Sequence, residues 1–286
     1  MSVRAYDISG WLPRPCWWLT LSVALLAAAA SAAGLWAADR IYNQETVVLF
    51  DQATAQDVVT LLAVAPLLGF LSVLARRGSL SAFLCVPGVL AFTAYNYAIY
   101  AFSIHFGPLF LVWVAILGLS IFALVGVLAS ADLPAIEQRF AGRAMRGPAW
   151  FLIGVAALFA LLWLSEIVPN LLAGDPSRSA RDWNVPTNPV HVLDLAFFLP
   201  AVITSGILLL RRRPLGYATA AGQLVWIALT CVPILITPLV ANAHGHAPAW
   251  AVTLPIGALL LATLVVLGRL LRRTALREGT NADQTP

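Results

Sequence analysis

Residues 61–80 have the sequence LLAVAPLLGFLSVLARRGSL, an apolar run that ends at two arginines and a glycine. The run contains no charged residue before Arg76, and another long apolar segment begins directly after the turn. A helix crosses the ~30 Å hydrocarbon core of a bilayer with about 20 mostly apolar residues, and short basic loops connect such helices. The stretch therefore predicts a membrane-spanning helix, a tight polar turn and the start of a second spanning helix.

The rest of the chain has the composition of a membrane protein. Of its 286 residues, 60% are hydrophobic and 10% are charged, whereas soluble domains carry about 25% charged residues. We predict an all-α polytopic membrane helical bundle that forms one transmembrane domain, 1–273, with a disordered cytoplasmic tail, 274–286. The predicted spans are 16–37, 57–75, 80–104, 108–130, 148–168, 190–210, 215–240 and 248–271. The first segment is longer than the apolar core of a signal peptide, so we expect it to remain uncleaved.

Arginine residues fall on one side of this pattern. They precede the first span, fill the second, fourth and sixth gaps and cluster at the end of the last span, whereas the opposite gaps hold only Arg40, Arg178 and Arg181. Short basic loops remain cytoplasmic, so both termini are predicted to lie inside the cell. We also predict that the chain resides in a prokaryotic inner membrane. The expected partners are the lipid bilayer and anionic lipid at the arginine-rich face, with no nucleic acid. The oligomeric state stays open.

The two halves of the chain share a layout. Residues 195–215, LAFFLPAVITSGILLLRRRPL, match the opening stretch, and Pro66 and Pro200 are equally far from the arginine turn that follows each of them. This register places Thr60 opposite Asp194. Four spans in each half would give both halves the same orientation, as in a 4+4 parallel internal repeat, although Leu-rich segments also align by chance.

Ionisable side chains collect at the opposite, predicted outer side. His191 and Asp194 are three residues apart and share one face of the sixth span, and Glu166 ends the preceding antiparallel span. His105 lies at the same level. The two acids lie within about one turn of the interface, where a carboxylate costs much less free energy than at the bilayer centre.

Three interpretations of this cluster stay open. A divalent metal ion would take ligands from His191, Asp194, Glu166 and His105, with a water in the open position. A proton- or ligand-binding site would use the same acids, with His191 as their titrating partner. A structural cluster would pair Glu166 and Asp194 with nearby arginines or His191 and hold the outer loop in place.

The outer half of the third span places polar side chains at greater depth. Asn96 and Tyr100 are four residues apart and lie on one face of a helix. Asn96 lies about two turns deep, where its amide needs a hydrogen-bond partner. The pair fits either an interhelical hydrogen bond or the wall of an outward-facing cavity. Asp57 leads into the second span on the same side.

Several function classes lack their sequence signatures. The chain has no lysine for a Schiff base, no glycine-rich phosphate loop, no dinucleotide fingerprint and no Gly-x-Ser-x-Gly elbow. Its cysteines, Cys16, Cys85 and Cys231, have no metal-ligand spacing and fit small apolar packing residues.

Residues 56–128 and 191–217 resemble a family of uncharacterised prokaryotic multi-pass integral membrane proteins. The resemblance lies in segments such as AYNYAIYAFSIHF and HVLDLAFFLP. The residues that match are Asp57, Tyr95, Asn96, Tyr97, Tyr100, His191 and Asp194. The resemblance implies an integral membrane protein and no particular activity.

The sequence favours a small-solute or ion-binding membrane protein, transporter-like, with an outward-facing polar cavity between the third, fifth and sixth spans. In this hypothesis Glu166 and Asp194 bind a proton or cation, His191 titrates beside them, and Asn96 and Tyr100 donate hydrogen bonds from the wall. The alternatives are a membrane-embedded enzyme with an extracytoplasmic His/Asp/Glu metal site and a structural or assembly subunit.

Overall fold

The computed structural model describes residues 10–140 and 145–282, with residues 273–282 described by their backbone alone. Within this part of the chain, eight helices are long and apolar enough to cross a bilayer, and no strand occurs. We name them α1 (Arg14–Trp36), α2 (Val47–Arg76), α3 (Leu80–Ser103), α4 (Phe110–Ala129), α5 (Arg146–Ala173), α6 (Pro189–Leu210), α7 (Pro214–Ala243) and α8 (Trp250–Arg272). The predicted all-helical, eight-span membrane fold is confirmed.

Three short helices occupy loops between the spans. Ala38–Ile41 follows α1, Leu133–Phe140 follows α4, and Arg178–Trp183 lies between α5 and α6. Because Arg178–Trp183 begins with the Ser177 hydroxyl accepting the Ala180 N–H at 3.3 Å, its position is set by an N-cap in the loop.

Helix α2 begins well before the predicted start of the second span at residue 57. The Thr46 side chain caps it by accepting the Leu49 N–H at 3.3 Å, and the helix then continues through a polar stretch. The prediction stopped at this stretch because hydropathy treats polar residues as the edge of a span. In the structure Asp51 and Asp57 belong to α2, and their side chains are buried in the bundle, where residues of other elements contact them.

The last helix also continues farther than predicted. Its α-helical part is Thr253–Ala282, so residues 274–282 of the predicted disordered tail are helical. The segment TALREGTNA contains no proline, and Ala, Leu, Arg and Glu favour helix continuation once a long helix precedes them. Residues 283–286 of that tail lie outside the described residues, as do Arg4 and Arg143 of the arginine pattern.

Helix α3 forms the centre of the bundle. Of its most apolar window, 89% is buried inside the protein, compared with 6% for α8, which leaves α8 facing the lipid. Helix α3 packs against α2, α4 and α7, and α7 in turn packs against α2, α6 and α8. The helices of the first half, α1–α4, therefore meet those of the second half, α5–α8, mainly along α3 and α7.

Two glycines set the distance between α3 and α7. A Cβ added to Gly88 would collide with the carbonyl oxygen of Gly222, and one added to Gly222 would lie 3.2 Å from the Gly88 nitrogen. Small residues at a helix crossing let two backbones approach closely in a membrane, where no hydrophobic effect drives helices together. The contact is backbone against backbone.

Helices α2 and α6 contain the same irregularity. Thr60–Val64 and Asp194–Phe198 each form a π-helical turn, in which the Ala65 N–H donates to the Thr60 carbonyl and the Leu199 N–H to that of Asp194. Each turn ends just before a proline, Pro66 or Pro200. Proline cannot donate to the preceding turn and its ring crowds a carbonyl there, so the helix widens by one residue.

The arginine turns after α2 and α6 are also alike. Gly78 has φ 97° and Arg212 has φ 54°, so the same position of each turn is left-handed. In both turns the next residue reaches back to the helix: Ser79 N–H donates to Leu74 O at 3.0 Å and Arg213 N–H to Leu208 O at 2.9 Å.

All these features recur at the spacing that separates Pro66 from Pro200: the π-turns, the left-handed residues and the contacting glycines Gly88 and Gly222. The recurrence supports the predicted 4+4 repeat, which stays a prediction. In such a repeat, the crossing of α3 and α7 would lie on the axis that relates the two halves.

We predict that Gly88→Ala destabilises the protein by about 1–3 kcal/mol, because the new methyl group meets a backbone carbonyl that cannot rotate away. This corresponds to roughly 2–4 °C of apparent Tm for each kcal/mol. The apparent Tm can be measured in detergent with a thiol-reactive fluorescent dye. The dye reports unfolding because the three cysteines of the folded protein are buried: Cys16, Cys85 and Cys231. Gly118→Ala on α4 is the matched control, because nothing lies within 4 Å of its added Cβ. Equal Tm values for the two variants would contradict the close crossing.

Candidate functional site

A cavity of ≈ 690 Å³ lies between α2, α3, α5, α6, α7 and α8. Its walls are mainly apolar, and it reaches the loops that connect α5 to α6 and α7 to α8. The sequence predicted a cavity between the third, fifth and sixth spans, and all three contribute to the wall. The predicted polar character is limited to a few side chains on this wall, among them Gln56, Asn96 and Asp194.

Asp194 is the acid of the cavity wall that lies in the bundle interior. Asp194 is the first residue of the π-turn of α6 and is only 5% exposed. Its Oδ2 accepts a hydrogen bond from Trp163 Nε1 at 2.8 Å. Its Oδ1 has no partner with strict hydrogen-bond geometry within the described residues, but the Tyr95 hydroxyl lies close enough to donate a weak hydrogen bond to the carboxylate. Buried polar atoms without a partner are rare in folded proteins. Asp194 is one of the residues that line the cavity.

Aromatic rings surround this carboxylate. Tyr95 meets Phe198 edge to face, with ring centroids 4.9 Å apart, and Phe198 stacks on Trp226 at 5.0 Å. The Trp226 Nε1 is buried and has no hydrogen-bond partner in the described part of the chain. On the other side, the Trp163 ring lies 4.7 Å from that of His191. The acid thus lies among aromatic faces and not among basic side chains.

Asn96 and Tyr100 both line the cavity, but their polar groups differ in environment. The Asn96 side chain is 6% exposed and makes no hydrogen bond to the residues that the structure describes. The Tyr100 hydroxyl lies 2.9 Å from the Ala53 carbonyl oxygen and 3.2 Å from Asp57 Oδ1. Asn96 is therefore free to bind a ligand, whereas Tyr100 has protein partners.

Asp57 is held by protein groups and does not line the cavity. Its Oδ2 accepts a 2.6 Å hydrogen bond from the Tyr42 hydroxyl, and its carboxylate packs against Gly34, where a Cβ would collide with it. Burial and the charge of Asp57 raise the pKa of Tyr42, which keeps the phenol protonated as a donor. Asp57 therefore joins α1 and the loop after it to α2 and α3.

Glu166 has a structural partner. Its Oε1 accepts the Ser179 N–H at 2.9 Å and the Ser179 hydroxyl at 2.8 Å, in the first turn of the Arg178–Trp183 helix. It lies close enough to His191 for an electrostatic interaction, as the sequence suggested. His191 itself is 6% exposed, with an unpartnered Nε2.

His105 lies apart from these residues. Its backbone N–H and its Nδ1 lie 2.8 Å and 3.1 Å from the Glu45 carboxylate, in the loop before α2. In the described part of the chain, the predicted metal set of His191, Asp194, Glu166 and His105 does not converge on a common point. The reason is that Ser179, Trp163 and Glu45 each hold one member.

A comparison of the chain with protein-family models, curated proteins and solved structures finds no match. The resemblance to the uncharacterised membrane-protein family stays a prediction.

Sequence reasoning missed two features of the site. Trp163 binds the acid of the cavity, and its only sequence signal was a tryptophan one turn before Glu166. The second is a pair of contacts at the edge of the cavity near the loop between α7 and α8: His244 Nδ1 lies 2.7 Å from Asp51 Oδ1, and His246 Nδ1 lies 2.8 Å from Asp51 Oδ2. Sequence spacing puts all three residues near the same ends of their spans but does not show that they meet.

We predict that Glu166→Ala lowers stability by roughly 1–2 kcal/mol, because two hydrogen bonds that hold the Arg178–Trp183 helix are lost. Glu166→Gln keeps an acceptor oxygen for Ser179 and should stay within about 0.5 kcal/mol of the wild type. The thiol-dye assay measures both variants. A Gln variant as unstable as the Ala variant would show that the charge of Glu166, and not its hydrogen bonding, matters.

Proposed function

We propose that the protein binds an organic cation with an apolar body, in a transporter-like manner, and that Asp194 receives the cationic group. The observation that carries this proposal is a buried, incompletely paired carboxylate in the wall of an apolar cavity: Asp194 Oδ1 has no partner with strict hydrogen-bond geometry among the described residues. A ligand that donates to this carboxylate would add to the one strong hydrogen bond from Trp163 and the weak one from Tyr95.

The charge of the wall favours a cation. Its acids are Asp51 and Asp194, and no arginine occurs among the described residues that line it. An ionised carboxylate in an apolar site is costly unless it is paired. Asp51 is paired with His244 and His246, whereas no arginine among the described residues pairs with Asp194. A protonated amine is therefore the ligand group that best offsets the cost of the Asp194 charge.

The aromatic rings favour an organic cation over a bare metal ion or a proton alone. Trp163 and Tyr95 contact Asp194, and Trp226 packs edge to face against Tyr95. Tryptophan and tyrosine faces attract ammonium groups through their electron density. The remaining wall, which includes Val155, Leu199 and Ile256, is apolar and suits a hydrocarbon body. A volume of ≈ 690 Å³ is in the usual range for small-molecule sites, about 300–1,000 Å³.

The π-turn supports a transport-like role for α6. Such turns occur frequently at functional sites, and here the turn begins at the proposed cation-binding residue. Asn96 on α3 would donate or accept a second hydrogen bond to the bound molecule. In this proposal the cavity faces outward, both termini are cytoplasmic, anionic lipid contacts the arginine turns, and the membrane is a prokaryotic inner membrane.

We predict that 4-phenylbutylamine binds to the purified protein in lipid nanodiscs, and that Asp194→Asn weakens this binding about 10- to 100-fold. The reason is the loss of a hydrogen bond between charged groups, about 1.5–3 kcal/mol, where each tenfold change in Kd is about 1.4 kcal/mol. Isothermal titration calorimetry measures the Kd. The matched ligands 4-phenylbutanol and 4-phenylbutyrate have the same apolar body and should bind weakly or not at all.

Asp57→Asn is the control variant, because Asp57 is an equally buried acid of a neighbouring span that does not line the cavity. Its asparagine keeps an acceptor for Tyr42, and amine binding should be unchanged. The proposal fails if the alcohol binds as tightly as the amine, or if Asp194→Asn and Asp57→Asn have the same effect.

We predict that a membrane-impermeant maleimide labels Asp175→Cys in intact cells, because the loop between α5 and α6 faces outward in the proposed orientation. Pro134→Cys, in the loop after α4, should be labelled only after the membrane is permeabilised. Both positions are exposed and the native cysteines are buried, so the labelling reports the introduced thiol. The reverse pattern would place both termini outside.

A further inference from the structure

The carboxylate of Asp51 joins the two halves of the molecule at the outer edge of the cavity. It belongs to the second turn of α2, in the first half, and each of its oxygens contacts one imidazole, His244 at 2.7 Å and His246 at 2.8 Å, from the loop between α7 and α8. One potential ligand atom from each of the three residues lies within 4.8 Å of the others. Among the side chains that the structure describes, those of 10–140 and 145–272, no other group of three His, Cys, Asp or Glu residues converges in this way.

The backbone at the end of α7 fixes the two histidines. His244 is the C-cap residue, and Gly245 follows with φ 76°, in the left-handed region that favours glycine. The His246 N–H then donates to the Ala241 carbonyl at 2.8 Å and the Gly245 N–H to that of Asn242 at 3.1 Å. This is a Schellman motif, and it turns both imidazoles toward the same carboxylate before any ligand binds.

The surroundings leave the site open on one side. The Asp51 side chain is 5% exposed, whereas those of His244 and His246 are 33% and 34% exposed. The Phe50 ring packs against that of His244, with centroids 5.4 Å apart. One ligand is thus buried and rigid, and the other two face a depression that water can enter.

The donor set matches a transition metal better than calcium or magnesium. Two imidazole nitrogens and one carboxylate oxygen are ligands that Zn²⁺ prefers, whereas Ca²⁺ and Mg²⁺ require mainly oxygen. In a tetrahedral zinc site, Zn–N distances of about 2.0–2.1 Å place neighbouring ligand atoms roughly 3.3 Å apart. The observed N···O distances of 2.7 and 2.8 Å are those of hydrogen bonds, so Zn²⁺ would replace these bonds and move the carboxylate and imidazole atoms apart by roughly 0.5 Å, with the fourth position left to water.

We propose that Asp51, His244 and His246 bind one Zn²⁺, which ties α2 to the loop between α7 and α8 at the outer mouth of the cavity. Asp51 and His246 also line that cavity, so the ion would lie at its edge and connect the two halves across it. This site is separate from Asp194 and does not depend on the binding of an organic cation.

The test is zinc binding by the full-length chain, purified with a tag that contains no histidine and treated with EDTA. Competition with a chromogenic zinc chelator should give one Zn²⁺ per chain for the wild type. His244→Gln and His246→Gln should each lower the zinc affinity at least about tenfold, which is the lower end of the effect of altering even the outer shell of a metal site. Glutamine can still donate a hydrogen bond to Asp51, so the fold is retained.

His105→Gln is the matched control, because His105 also pairs with an acid, Glu45, but belongs to no convergent group within the described residues. Its zinc affinity should equal that of the wild type. Electron paramagnetic resonance of Cu²⁺ bound at the same site adds a second measurement, with coupling to two imidazole nitrogens in the wild type and to one in each His→Gln variant.

Thermal unfolding distinguishes a metal site from a purely structural contact. Zinc should raise the apparent Tm of the wild type and of His105→Gln above their values in EDTA, and should leave that of His246→Gln unchanged. The proposal is overturned if the wild type binds no more zinc than the His244→Gln/His246→Gln double variant. It is also overturned if these substitutions lower the Tm equally in zinc and in EDTA, since the contacts would then act only as hydrogen bonds.

Discussion

The close crossing of α3 and α7 is the contact on which the rest of the structure depends. In a bilayer, helices associate through van der Waals packing and not through the exclusion of water, so the distance between two backbones largely determines how well they pack. At Gly88 and Gly222 the backbones touch directly. This contact places α3 at the centre of the bundle, and α2 and α6 both pack against the α3–α7 pair. The cavity lies between this pair and its neighbours, near the loops that connect α5 to α6 and α7 to α8.

The buried acids of the spans differ in how completely the protein satisfies them. Asp57 receives hydrogen bonds from two tyrosines, and it joins elements of the first half. Asp51 receives an imidazole on each oxygen. Asp194 has one strong donor, the Trp163 indole, and only the nearby Tyr95 hydroxyl for its other oxygen. Asp194 is thus the least completely paired of the three acids and also lines the cavity, and this contrast is the basis for the proposal that it binds a ligand.

Much of the fold could be predicted from the sequence, because the bilayer imposes a length and a composition on every span. The tight arginine turn after Arg76 and the run of apolar residues before it were sufficient to predict a helix pair. The start of α2 was not predictable in this way, since Asp51 and Asp57 are tolerated only because Tyr42, Tyr100 and the two histidines reach them from distant parts of the chain.

The candidate site could be predicted only in part. Helical spacing and depth in the span predicted that Asn96 and Asp194 lie at the same end of the bundle and line a cavity. The partners did not, because Trp163 and Asp194, or Asp51 and His246, meet through tertiary packing that leaves no periodic signal in the sequence. For Glu166 the sequence left a binding role and a structural role open, and in the structure Ser179 of the adjacent loop donates to its carboxylate.

The π-turn of α6 contains one residue more than an α-helical turn, and this surplus has a rotational consequence. Each residue of an α-helix turns the chain by about 100° around the helix axis. Because of the extra residue, the part of α6 before Asp194 is rotated by about 100° from where it would lie if the α-helix after Leu199 continued without a π-turn. Restoring regular α-geometry there would swing His191 and the start of α6 around the helix axis and separate Asp194 from Trp163. The segment that follows Pro200 would keep its packing. The extra residue of the π-turn would thus allow the first part of α6 to rotate about the helix axis while the part after Pro200 stays in place.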